Sequence, residues 1–208
     1  MAKLLYIVAN PKVESQSYSL QVGDEFLDIY KSKNPNDEVV ELDLYKIDIP
    51  YIDEDVFNGW GKLAKGEDLT DSERKKIDRI NQLSDEFVSA DKYVFINPMW
   101  NFSIPPIMKA YIDTICIAGK TFKYTEDGPI GLLDNKKALH IQSSGDIYYK
   151  HNNGEVDFGD KYIRFILNFL GITSIESIFI EGMGKNPSES DEIKQEALKR
   201  AKDIAHTF

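Results

Sequence analysis

The sequence predicts an open, doubly wound α/β sandwich: a five-stranded parallel sheet with helices on both faces. Two observations predict it. Short apolar runs alternate with stretches of helical periodicity, as in strands joined by crossover helices. The first of those runs is continuously apolar, as expected where both faces of a parallel sheet are covered. Right-handed crossovers then assemble the strands into one sheet.

Residues 4–8 are the first apolar run and the first strand. A polar loop from Asn10 to Ser15 follows. Val22, Phe26 and Tyr30 recur at helical spacing, and the helix stops near Asn34-Pro35, since proline disfavours helix in the residue before it. In residues 39–44, Val40, Leu42 and Leu44 alternate against Glu41 and Asp43 as a second strand. Residues 45–69, with Pro50, Gly59, Gly61 and Gly66, form an excursion with a short helix over 56–63. Thr70-Asp71-Ser72-Glu73 is a capping-box pattern. It opens a helix with Ile77, Ile80, Ser84, Phe87 and Val88 inward. Residues 93–96 are the third strand. Pro105-Pro106 starts a helix over 106–118, ended by Gly119 in a left-handed cap. After the turn Asp134-Asn135-Lys136, residues 138–142 are the fourth strand. A helix over 158–170 buries Tyr162, Ile163, Ile166 and Phe169 and stops at Gly171. Residues 175–180 are the fifth strand. Ser188-Glu189-Ser190-Asp191, a looser capping box, precedes a last helix with Ile193, Ala197, Ala201 and Ile204 on one face.

At 208 residues the chain is expected to be a single domain over 1–208. A formal net charge of −10 argues against nucleic-acid binding, which needs clustered Lys and Arg. Local backbone N–H groups can still hold one phosphate. No apolar stretch approaches the roughly 20 residues of a membrane span, and Met1-Ala2-Lys3 does not open a signal peptide. One cysteine, Cys116, permits no internal disulfide, fits a reducing cytoplasm and reads as an inert core thiol. His140, His151 and His206 are scattered, so neither a metal site nor a His-based nucleophilic constellation is expected.

Three patches lie at strand carboxyl ends, where ligands bind in open α/β sheets. The first loop, residues 10–19, contains no glycine and lacks the G-x-G-x-x-G dinucleotide fingerprint. Instead Ser15, Ser17 and Ser19, with Gln16 and Tyr18 between them and Asn10 before, cluster where the first helix begins. Ser17 or Ser15 caps that helix, while hydroxyls and freed N–H groups can converge on a terminal phosphate. That favours the flavodoxin-like strand order 2-1-3-4-5, with a mononucleotide at the switch point between strands one and three. The second patch, Pro98-Met99-Trp100-Asn101-Phe102, puts aromatic and amide groups at the end of strand three and suits a flat, conjugated ligand. The third is Ser143-Ser144-Gly145-Asp146, after strand four. Alone, these are a helix cap, two core aromatics and a turn. Together they face one crevice, which structural need does not call for.

The chain resembles the FMN-dependent NADH-azoreductases of the flavodoxin-like quinone reductase group. The resemblance is carried by Ser15-Gln16-Ser17, by Pro98 to Phe102 and by residues 120–129, with Gly131-Leu132 and Lys136-Lys137 extending it. It implies bound FMN, with FAD, its adenylate trailing outside, as an alternative, and NADH or NADPH as donor. The flavin N5 carries the chemistry, so no catalytic side chain is expected. Asn10 and Ser15 to Ser19 would hold the phosphate; Pro98 to Phe102 and Ser143 to Asp146 would line the ribityl chain and ring. The resemblance further implies ping-pong reduction of azo compounds and quinones in a homodimer whose flavin clefts lie at the subunit interface. Phe122 would lie near the ring's open face and contact substrate. The family's Ser-Arg-Gly-Gly turn here reads Ser143-Ser144-Gly145-Asp146. The Asp146 carboxylate is therefore expected to disfavour anionic reduced flavin and lower its potential. Two other classes remain open: a flavodoxin-type electron carrier and a flavin-binding module without turnover.

Overall fold

The computed structural model describes residues 1–149, 154–185 and 187–208; His151 lies outside them. Five parallel strands form the sheet: β1 (Lys3–Val8), β2 (Glu38–Asp43), β3 (Lys92–Pro98), β6 (Lys137–Ser143) and β7 (Ser174–Ile180). Their spatial order is β2-β1-β3-β6-β7, which is 2-1-3-4-5 when the sheet strands alone are counted. The two strands left out of that count, β4 (Phe122–Thr125) and β5 (Gly128–Gly131), make a separate antiparallel hairpin.

Two apolar layers sandwich the sheet. On one face, helix α1 (Tyr18–Lys33) and the last helix, α6 (Ser190–Ala205), bury Phe26, Tyr30, Ala197 and Ala201 against Tyr6, Val94, Leu139 and Ile178. On the other, α3 (Asp71–Ser89), α4 (Pro106–Ile115) and α5 (Phe158–Leu170) bury Phe87, Met108, Tyr111 and Leu167 against Tyr93, Phe95 and Ala138. Helix α2 (Glu54–Lys65) rides on α3, its Gly59 beside Ile77. The capping box before α3 is complete: the Glu73 N–H donates to Thr70 Oγ1, and the Thr70 N–H donates to the Glu73 carboxylate. Among the described residues no helix is long and apolar enough to cross a membrane.

Three elements differ from the sequence expectation. Helix α4 ends at Ile115, three residues before the expected stop. The buried Thr121 hydroxyl donates to the Ile115 carbonyl and accepts from the Ile117 N–H, taking over the bonds of another turn. Gly119 is left-handed, at φ 83°, but it turns the chain into β4. The hairpin itself has no sequence periodicity long enough to read. Finally, α6 starts at Ser190 behind a short 3₁₀ turn without a side-chain cap bond, so the Ser188 box does not form.

The hairpin is tied to the body by one close approach. A Cβ at Gly131 would lie 2.2 Å from Gly171 N and 2.2 Å from the Leu170 carbonyl carbon, both backbone. Backbone cannot rotate aside as a side chain can, so Gly131→Ala is expected to destabilise the protein by more than about 2 kcal/mol. Chemical denaturation against the wild type checks this.

Candidate functional site: a crevice at the strand ends

The crevice is built where α1 begins. The Ser17 side chain caps α1, accepting from the Leu20 N–H. Asn10, just beyond β1, is buried, and its Nδ2 donates to Ser17 Oγ at 2.7 Å and Ser19 Oγ at 3.3 Å. Asn10 Oδ1 accepts from the Lys12 N–H, closing the loop on itself. One buried amide thus aims two hydroxyls at the positive end of a helix. Ser15 and Gln16 sit exposed on a short 3₁₀ turn, and Tyr18 is half-exposed at the first helical position.

Opposite stands the end of β3. Pro98 pairs with Ser143 of β6, and the Met99 N–H donates to the Ser143 carbonyl. Trp100 and Ser103 exchange both backbone hydrogen bonds around Asn101 and Phe102, whose φ angles are 48° and 66°. This is a type I′ turn, which demands left-handed backbone at both central positions. Asparagine tolerates that conformation; a phenylalanine there is strained. The strain is held by the Phe158 N–H, which donates to the Phe102 carbonyl, and by edge contact of the Phe102 ring with Tyr148. The reward is exposure: Trp100 is 39% and Phe102 49% exposed, so neither is a core aromatic.

Two adjoining cavities fill the space between. One, of about 130 Å³, is lined by Asn10, Lys12, Gln16, Ser17, Trp100 and their neighbours. The other, of about 160 Å³, is lined by Met99, Ser144, Gly145 and Met183. Tyr18, Pro98 and Ser143 border both. All three sequence patches therefore meet. Lys12 and Met183 join them unforeseen; a lysine inside the hydroxyl loop was the one available signal. Ser19 stands behind Ser17, and Ser15, Asn101, Phe102 and Asp146 line neither cavity. A larger cavity of about 490 Å³ lies between α1 and β2, with acidic Asp24, Glu41 and Asp43 in its wall. It lacks the hydroxyl pair and the aromatic wall.

Two of the expected site residues have close partners within the chain. Phe122 is only 7% exposed and packs into the core against Phe169, with ring centroids 4.7 Å apart. Within its own chain Phe122 thus turns inward, and Tyr124, on the same hairpin, is the exposed aromatic. Asp146 Oδ1 lies 3.0 Å from Lys185 Nζ and accepts from the Ile147 N–H, so its charge is compensated locally. Gly145 is outside the left-handed region, and a Cβ there would meet nothing within 4 Å. Its value is open space rather than unusual backbone.

Behind the wall lies a polar network with no counterpart in the sequence reading. Fully buried His140 has Nδ1 2.8 Å from Asp160 Oδ1 and Nε2 3.0 Å from Asn97 Oδ1. Asp160 also accepts from Ser177 and Arg164. Burial pushes the Asp160 carboxyl up, but these partners outweigh it and hold it at about 2. Asp157, the N-cap of α5, accepts from Gln142 and the Asp160 N–H; burial raises its carboxyl. Among the described residues Gln142 Oε1 is buried without a partner. Cys116 is half-buried, and burial pushes its thiol up to about 11, consistent with an unreactive side chain.

A doubly wound sheet with a hydroxyl-lined helix start facing an aromatic strand end is an arrangement of the flavodoxin type. A family model described as flavodoxin-like fold matches residues 2–205. An FMN-dependent NADH:quinone oxidoreductase of Geobacillus kaustophilus is 54% identical, with all of both chains covered. Among solved structures, an azoreductase from Bacillus anthracis strain Sterne superposes with a TM-score of 0.94 at 40% identity over the whole of both chains. An FMN-dependent NADH-azoreductase from the Ames Ancestor strain, in complex with FMN, gives 0.90 at 36% identity, covering 99% of this chain and 100% of its own. The chain belongs to the FMN-dependent NADH:quinone oxidoreductase and azoreductase family.

Proposed function

We propose that this chain is an FMN-dependent NADH oxidoreductase that reduces quinones and azo compounds. One observation carries the reading: one cavity runs from the Ser17 hydroxyl, at the start of α1, to Trp100 at the aromatic end of β3. The names of its relatives support it, since they include FMN and NADH. The residues fit the cofactor. Asn10, Ser17 and the freed N–H groups of α1 suit a phosphate, with Lys12 adding positive charge. Ser15, Gln16, Tyr18 and Ser19 complete or support that loop. Pro98 to Trp100 form a wall with Asn101 and Phe102 at its rim, and Ser143 to Asp146 supply polar backbone beside it. When bound, FMN supplies a hydride acceptor and donor at N5.

The chain's own work is to bind, orient and exclude water. Trp100 and Met99 offer flat, desolvating surface. The open side of the crevice admits one reactant at a time, so donor and acceptor use it in turn, giving ping-pong kinetics. The enzyme acts as one flavodoxin-like domain over residues 1–208, in the cytoplasm. It works as a homodimer, a reading supported by exposed Phe158 and Phe165 on one face of α5 and by Tyr124 and Ile130 on the adjoining hairpin. Light scattering of the purified protein tests the dimer, and a monomeric mass contradicts it.

Gly145 offers a test that separates binding from folding. Gly145→Ala leaves the backbone unstrained and meets no protein atom, so thermal stability of the flavin-free protein should be unchanged. The added methyl occupies crevice space, so the FMN Kd is expected to rise roughly tenfold, as for about 1–3 kcal/mol of overpacking. Fluorescence titration of FMN into the stripped protein measures it; unchanged affinity would place the flavin away from this turn.

A further inference from the structure

The first turn of α5 grips the crevice wall from behind. Its Phe158 N–H donates to the Phe102 carbonyl at 2.9 Å, and Asp157 accepts from Gln142 on β6 at 2.7 Å. The third grip is longer. Asp160 meets His140, His140 meets Asn97, and Asn97 Nδ2 donates to the Pro98 carbonyl at 3.1 Å. We infer that Asp160, His140 and Asn97 form a positioning relay that sets the wall at Pro98, Met99 and Trp100.

The geometry of one peptide carries the argument. The Pro98 carbonyl and the Met99 N–H belong to the same planar unit. The N–H is pinned to β6 through the Ser143 carbonyl at 2.7 Å. The carbonyl is pinned by Asn97, and so by the relay. With both ends fixed, the plane cannot tilt, and Met99 and Trp100, which line the two cavities, keep their places. Core stability does not ask for this arrangement: well-packed apolar residues in place of a buried ionic network are commonly neutral or stabilising. Preorganisation of a binding wall does ask for it.

The inference rests on the proposed flavin function. Its test is Asn97→Leu, which keeps the side chain's approximate shape and removes both bonds. The FMN Kd should rise roughly tenfold, as expected for misplacing a binding wall by a fraction of an ångström. The visible circular dichroism of bound FMN should change as well. Adding His140→Leu to Asn97→Leu should raise the Kd no further, since members of one relay are not additive. Should Asn97→Leu fail to fold, Asn97→Ser is read by the same criteria. FMN affinity within about twofold of wild type and an unchanged flavin spectrum, whatever the melting temperature, would overturn the relay and leave the network a packing feature. Wild-type protein that neither binds FMN nor is reduced by NADH would overturn the functional reading instead.

Discussion

Asp160→Asn is expected to lower folding stability by about 3 kcal/mol, as when one partner leaves a buried ion pair. The carboxylate is nearly buried and receives His140, Ser177 and the Arg164 guanidinium. The amide keeps one oxygen but loses the charge that two basic groups were arranged around. Arg164 is 37% exposed and can turn partly to water, which keeps the loss at the lower end of the usual range. On a total near 5–15 kcal/mol for a typical domain this is a large fraction. The pH dependence has a definite sign. The folded carboxyl is depressed to about 2, against roughly 3.9 in an unfolded chain. Its contribution is therefore fully present above about pH 4 and is lost as pH falls from about 4 to about 2. Urea unfolding should show the wild-type advantage over Asp160→Asn narrowing across that window. A gap independent of pH would mean that the charge of Asp160 is not what stabilises the fold.

Ser17→Ala is expected to act on two properties at once. The Ser17 hydroxyl caps α1, and its loss should cost about 1 kcal/mol of stability. In the proposed site the same hydroxyl faces the FMN phosphate, where a bond to a charged group is worth about 1.5–3 kcal/mol. The FMN Kd should rise roughly 10- to 100-fold. A substitution that lowers stability by the capping amount and leaves FMN affinity intact would show that the hydroxyl is a cap and nothing more. Ser15→Ala isolates the capping part: Ser15 is exposed on the 3₁₀ turn and caps no helix, so its loss should leave stability nearly unchanged.

The sheet was legible because its signals are local and strong. The runs around Tyr6, Val94 and Leu139 have no other stable home than a covered parallel strand, and the glycine-free loop after β1 selected the strand order. The crevice was legible for the same reason: strand carboxyl ends must meet, and three polar or aromatic patches stood there. Other features depend on tertiary contact. Thr121 shortens α4 by a bond to a carbonyl that periodicity cannot anticipate. The hairpin folds Phe122 inward against Phe169, a contact that sequence spacing does not reveal. His140 and Asp160 are 20 residues apart. Only the packing of α5 on β6 brings them together, so the network left no local trace. Asp146 seemed a free charge beside the ring until Lys185, from the neighbouring turn, came within 3.0 Å.

The crevice defines an enzyme rather than an electron carrier only if a nicotinamide reaches the flavin. Anaerobic mixing of the purified, FMN-loaded protein with NADH tests this directly. The visible flavin band should bleach within a single turnover and return when a quinone or an azo dye is added. A flavin that stays oxidised under NADH, yet is reduced by dithionite, would contradict the assignment and make the chain a carrier or a binding module.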